Sequence, residues 1–193
     1  MQAKTAASLA AAGSGVGIET LQTPRLTLCP MRAEHAPALH AFFSDPQAMR
    51  FFGDTHTDPA QTERWVAGTL AEPPERCREY VLLQDGVAIG KAGLWAAPEL
   101  GFFLRRDRWG QGLMREALTA LIPHLFATLP LDHIRADVDP RNAASLALLR
   151  HLGFVETHRA SRTIQIGGEW TDSVYLRLSR PDQTRSVPLL DRT

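Results

Sequence analysis

A two-glycine turn between a short apolar strand and a helix is the part of this chain best placed to do chemistry. Residues 99–104 read Glu-Leu-Gly-Phe-Phe-Leu, followed by the charged run Arg105-Arg106-Asp107-Arg108 and then Trp109-Gly110-Gln111-Gly112, which opens an apolar helix. Such a junction aims several unpaired backbone N–H groups, and the positive end of the helix dipole, at one point where a phosphate or pyrophosphate can sit without a lysine. Gly-x-Gly before a helix is also an ordinary tight turn, so the weight comes from what accompanies it.

A second motif accompanies it. Val138-Asp139-Pro140-Arg141-Asn142-Ala143-Ala144-Ser145 reads as a strand stopped by proline and a helix capped by Asn142; the helix then runs through Leu146-Ala147-Leu148-Leu149-Arg150-His151-Leu152 to Gly153-Phe154. Near the front lies Asp45-Pro46-Gln47-Ala48-Met49-Arg50-Phe51-Phe52-Gly53, and near the end Gly168-Glu169-Trp170-Thr171-Asp172.

In order and spacing these segments resemble the GNAT acyltransferases, and among them the RimJ/RimL ribosomal-protein N-terminal acetyltransferase type. The resemblance covers about residues 21–180. It implies an α/β GNAT fold: a mixed, mostly antiparallel twisted sheet with a splayed parallel strand pair and helices on both faces. It implies acetyl-CoA as co-substrate and an N-acetyltransferase that moves an acetyl group to a primary amine, on a small molecule or a protein N-terminus, by direct attack in a ternary complex. A non-catalytic acyl-CoA-binding module of the same fold is the alternative. A homodimer and a cytoplasmic location are further expectations of the type.

The resemblance assigns roles residue by residue. The splayed strands fall at 99–104 and 134–138, and the main chain of Phe102, Phe103 and Leu104 would pair with the pantetheine arm much as an added strand does. The pyrophosphate would lie on the amides of Trp109, Gly110, Gln111, Gly112, Leu113 and Met114, with the glycines keeping Cβ atoms out of the way. Asn142 would hydrogen-bond the pantetheine arm, or serve only as a helix cap. Ser145 would donate a proton to the departing thiolate, or bond its own backbone.

Glu99 is the candidate base, a strand carboxylate expected to face an apolar cleft and lose hydration. The family's base in the closing hairpin aligns with Ile164 here, which cannot take a proton, so Glu169, Asp172 and Asp54 stand as substitutes. Met49, Arg50, Phe51 and Phe52 would meet the acceptor, and Trp65, Phe42 and Phe43 are core aromatics or part of the same surface. Arg105, Arg106 and Arg108 reach cofactor phosphates or form a solvated loop.

The surrounding elements must hold these residues in place. Strands are expected at 25–29, 80–83, 87–90 and 134–138, helices at 33–43, 59–70 and from 112 toward 125, and a closing hairpin of 163–166 with 174–178 through Gly167-Gly168. Asp85-Gly86 is a two-residue hairpin turn. Pro123 should kink the last turn of its helix. Residues 1–20 are expected as a disordered arm, 21–180 as one domain and 181–193 as a loose tail.

Composition sets outer bounds. The 193 residues carry 21 Lys+Arg and 21 Asp+Glu, a balance that recommends neither nucleic acid nor an anionic membrane as partner. Cys29 and Cys77 stand in no metal-ligand spacing, so neither a structural metal nor a disulfide framework is expected.

Overall fold

A computed structural model describes residues 18–181. Residues 1–17 of the arm expected over 1–20, and residues 182–193 of the tail expected over 181–193, lie outside the described residues; within the described part Ile18 packs against the core. Eight strands form one sheet: β1 (Leu21–Gln22), β2 (Thr27–Pro30), β3 (Arg78–Gln84), β4 (Val87–Ala96), β5 (Glu99–Leu104), β6 (His133–Val138), β7 (Val155–Ile166) and β8 (Glu169–Ser179). Their order across the sheet is β1-β2-β3-β4-β5-β6-β8-β7. Every neighbouring pair is antiparallel except β5 with β6, which is parallel and joined at a single register pair, Glu99 with Arg135. Beyond that pair the two strands diverge.

Helices cover both faces. On one, α1 (Ala36–Phe43), α2 (Pro46–Met49) and α3 (Pro59–Ala71) bury Leu39, Phe42, Phe43, Met49 and Val66 against Val81 and Phe103 of the sheet. On the other, α4 (Leu113–Thr128) and α5 (Ala143–His151) join a larger cluster with Leu82, Leu94, Ile134 and Leu176. Leu113, Ala117, Leu118, Leu121 and Leu125 of α4 fall at helical spacing and are all 1% exposed or less. Each such leucine contributes about 1.5–3 kcal/mol on burial, and this stripe fixes how the start of α4 points.

Local chemistry sets the element ends. Asp58 accepts from Ala60 N while the Gln61 side chain accepts from Asp58 N, a reciprocal cap that starts α3. Asp85 and Gly86 both take positive φ, closing the β3–β4 hairpin as its sequence demands.

Several expected bounds move. The first helix begins as a 3-10 turn, Ala33–His35, before α1. The segment containing Met49 forms the short helix α2, capped by Asp45, whose side chain accepts from Gln47 N. Pro123 lies inside α4, which continues five residues past it to Thr128 rather than ending in that turn. The closing hairpin is far longer than its sequence pattern indicates, because β7 starts at Val155 and is exposed along most of its length, so no alternation of buried side chains marks it.

Candidate active site

The divergence of β5 from β6 opens a cavity of about 700 Å³ that passes between the strands and reaches under the front helices. At one end stands the glycine turn. Gly110 and Gly112 adopt φ of 72° and 74°, a region L-residues rarely enter, so the glycines are required first by backbone conformation. Gly112 is also the N-cap of α4 and supplies no side chain to the first-turn N–H groups, which are thereby left for an anion. The Trp109 indole donates to Leu104 O at 2.8 Å, tying the turn to the end of β5.

A clamp distant in sequence holds this turn from behind. Arg25 Nη1 donates to Gln111 O at 3.0 Å and its Nε to Glu116 Oε2 at 2.6 Å, while Thr23 Oγ1 and Arg25 N both donate to Glu116 Oε1. Burial pushes the Glu116 carboxyl up, but the hydrogen bonds from Thr23 and Arg25 outweigh it and hold the group below the usual carboxylate range. Nothing local in the sequence marks Arg25, since its partner lies 91 residues away.

Of the residues expected to contact cofactor, Phe102, Phe103, Leu104, Trp109, Gly110, Gly112, Leu113, Met114, Asn142 and Ser145 border the cavity. Gln111 does not: its side chain turns back to donate to Asp107 O at 3.1 Å. Phe103 and Leu104 also bury their side chains in the core. In the charged run, Arg105 chelates Asp107 and Arg106 pairs with Asp45, as a solvated loop would; Arg108 borders the cavity. Arg115, unmarked by any motif, borders it too.

At the other junction Asn142 Oδ1 accepts from Ser145 N at 3.2 Å, so Asn142 is a helix cap whatever else it does. The Ser145 hydroxyl makes no hydrogen bond to the described residues, and the expected alternative, a bond to its own helix backbone, is absent among them. Glu99 lines the cavity, yet not as a lone carboxylate in an apolar cleft: Arg135 Nε sits 3.1 Å from its Oε2, because the one β5–β6 register pair sets these two side by side.

The residues expected to meet the acceptor do not all reach the cavity. Arg50, Phe51 and Phe52 line the cavity, whereas Met49 is 2% exposed and packs in the core beneath them. Phe51 lies under the guanidinium of Arg50, 4.5 Å from the ring centre, and under that of Arg141 at 5.7 Å. Phe42 and Trp65 border the cavity, joined by Ile164 and Ile166 of β7. Asp54 is occupied in accepting from Gly167 N at 2.8 Å, which fastens the β7–β8 turn to the front loops, and Asp172 accepts from Arg162 N. Two residues missed altogether are Lys91, on the cavity floor, and its partner Glu79. The pair is buried, each side chain 1% exposed, and burial pushes the Glu79 carboxyl up while Lys91 pulls it back.

A sheet split at one parallel pair, with a bare helix N-terminus at the head of the gap, fits a long substrate that carries amides along its length and phosphates at one end. That is the architecture of the acyl-CoA-dependent transferases. The family description "Acetyltransferase (GNAT) domain" matches residues 25–155, and the chain belongs to this family of acetyltransferases. It is 33% identical over 147 residues to the uncharacterized N-acetyltransferase p20 of Bacillus licheniformis, covering 71% of this chain and 83% of that one. The ribosomal protein uS5-alanine N-acetyltransferase of Escherichia coli K12 is 38% identical over 92 residues, 48% of this chain and 47% of that enzyme. In fold, the chain superposes with a TM-score of 0.76 on RimL, a ribosomal L7/L12 α-N-protein acetyltransferase solved with coenzyme A, at 21% identity and over 83% of this chain and 98% of that one.

No helix among the described residues is long and apolar enough to cross a membrane, and no cluster of three or more His, Cys, Asp or Glu among them is placed to hold a metal ion.

Proposed function

We propose that this acetyltransferase takes acetyl-CoA as its co-substrate and acetylates a primary amine, of a small molecule or of a protein N-terminus, by direct attack within a ternary complex. The observation that carries the reading is the single continuous cavity that runs from the bare N-terminus of α4, past Ser145, to Glu99 and the front aromatics. The amides of 110–114 hold the pyrophosphate, and the unpaired edges of β5 and β6 hold the pantetheine arm.

The neutral amine attacks the thioester carbonyl carbon. As the tetrahedral intermediate collapses, the C–S bond breaks, and Ser145 Oγ–H gives its proton to the thiolate while taking one from water, which restores the hydroxyl. The proton the nitrogen sheds passes to Glu99, which Arg135 orients and which regains its ionised form by exchange with water. An α-amine with a pKa near 8 is already about a tenth neutral at pH 7 and asks little of a base, whereas neutralising a lysine-type amine at that pH costs roughly 4.6 kcal/mol. The similarity to enzymes named for ribosomal protein N-termini supports a protein acceptor, and Ile164 in place of the family's hairpin glutamate moves the base to Glu99.

Titration calorimetry with acetyl-CoA, followed by thiol release over a panel of amines and N-terminal peptides, tests the reading. Binding together with thiol release for at least one amine is expected. Heat without turnover on any acceptor would reduce the protein to an acyl-CoA binder.

A further inference from the structure

The indole of Trp95 borders the cavity and is 53% exposed, so a ligand can reach it. A lone surface aromatic needs no explanation, but this one stands beside the reacting groups. Glu99 and Gly101 point to the same face of β5, about 7 Å apart along the strand. Trp95 lies over Gly101: a Cβ built on that glycine would stand 3.3 Å from Trp95 Cδ1, so the missing side chain is what lets the indole rest against β5. The ring is therefore one strand step from the candidate base, and an amine at Glu99 brings whatever it carries two or three bonds away onto Trp95.

The charged groups at this end are mostly spent. Four carboxylates border the cavity; Glu99 holds Arg135, Asp139 holds Arg141 and Asp172 accepts from Arg162 N, whereas Asp137 has no hydrogen bond or ion pair to another described residue. Arg135 and Asp137 alternate on β6 with the buried Ile134, Ala136 and Val138, which puts the free carboxylate on the same face as the Glu99–Arg135 pair. The cations near it are committed: Lys91 to Glu79, Arg135 to Glu99, and Arg50 to the face of Phe51. An ammonium finds an unspent carboxylate close to the base, while an added carboxylate finds no unspent cation.

Apolar groups supply the rest of the lining. Phe51, Phe52 and Trp65 border the cavity from the front elements, and Ile164, 47% exposed, borders it from β7. The hydroxyls of the β8 wall are turned onto the protein, Thr171 donating to Ile164 O and Ser173 sharing a hydrogen bond with Thr163. A polypeptide acceptor would bring peptide N–H and C=O groups beside its amine, and such a lining leaves them short of partners. A compact apolar body brings none.

Resting on the acetyl-transfer reading above, we propose that Trp95 is a specificity-determining residue of the acceptor end, and that the acceptor is a small primary amine on an uncharged apolar body, which lies on the indole while Asp137 draws in the ammonium.

The test measures binding of phenethylamine, ethylamine, L-phenylalanine and a tripeptide amide with N-terminal phenylalanine to the coenzyme A complex by calorimetry, and thiol release from acetyl-CoA with each. Phenethylamine should bind at least about tenfold more tightly than any of the other three. Trp95→Ala should weaken phenethylamine by about tenfold and leave ethylamine as it was; Trp95→Phe should keep phenethylamine within about threefold. Coenzyme A affinity should be unchanged in both variants, which shows them folded. Equal or tighter binding of the acid or the peptide, no binding of phenethylamine, or undiminished phenethylamine binding in Trp95→Ala would each overturn the assignment. Selective binding of phenethylamine without thiol release from any of the four would sustain the Trp95 assignment and defeat the acetyl-transfer reading, and thiol release with the peptide alone would do the reverse, so the two fail separately.

Discussion

The two ends of the cavity are made of different material. At the glycine turn and along the splayed strands, the groups offered are main-chain amides, held by conformation: Gly110 and Gly112 at positive φ, the Trp109 indole on Leu104 O, and the Arg25–Glu116 clamp behind. At the other end the lining is side chains from separate elements: Phe42 from α1, Trp65 from α3, Lys91 from β4 and Ile164 from β7. A backbone site recognises what all acyl-CoA substrates share and tolerates change in its side chains. A side-chain site can be rebuilt for each acceptor without disturbing the first. The family resemblance therefore speaks strongly about the cofactor end and weakly about the acceptor.

The sharpest way to break that division is at Ser145, where the two ends meet. Ser145→Ala should lower turnover at saturation by about 10²- to 10⁴-fold while leaving acetyl-CoA affinity unchanged by calorimetry. Lost affinity with retained turnover would instead place Ser145 in the backbone end as a binding residue.

Next in size is the turn. Gly112→Val should weaken acetyl-CoA binding by more than about tenfold, because a β-branched residue resists positive φ and the N–H groups of α4 would swing away from the phosphates. The same strain should lower the melting temperature, so affinity is to be measured at a temperature where circular dichroism shows the variant folded. Unchanged affinity there would remove the phosphate from this turn.

Glu99 tests the acceptor end. Glu99→Gln should slow transfer more for acceptors of higher pKa than for α-amines, with rate regained as pH rises and the amine deprotonates unaided. An equal, small effect on all acceptors in a pH–rate series would leave Glu99 as Arg135's partner and nothing more.

These contrasts follow what was legible in the sequence. The glycine turn and the Asn142–Ser145 motif are contiguous and shaped by local backbone chemistry, so the turn at Gly110 and Gly112 and the Asn142 cap could be read directly. The sheet was also legible, through Asp85-Gly86 and the alternation in β6, whereas β7 was half missed because an exposed edge strand has no buried face to leave a pattern. The acceptor end resisted reading because its members are brought together only by tertiary packing. Met49 shares a motif with Phe51 and Phe52, yet the turn of α2 sends it into the core. Lys91 left a compositional signal, the solitary lysine of the domain, that no local pattern would have flagged.

The smallest expected effect concerns the clamp. Glu116 is held below its ordinary value of 4.5 in the folded protein, so its contribution to stability is fully present above that pH and is lost as pH falls through the lower folded value. In urea titrations, the stability difference between the natural protein and Glu116→Gln should be constant near neutrality and shrink below about pH 4.5. A difference that persists at pH 3 would mean that the carboxylate charge contributes nothing to the clamp.

Amide hydrogen exchange with and without coenzyme A tests the backbone character of the cofactor end most directly. Binding should slow exchange at residues 102–104 and 110–114, where main-chain groups are proposed to hold the ligand, and leave residues 50–52 and the β7–β8 turn nearly unchanged. Protection confined to residues 50–52 and the hairpin, with none at 110–114, would contradict the account.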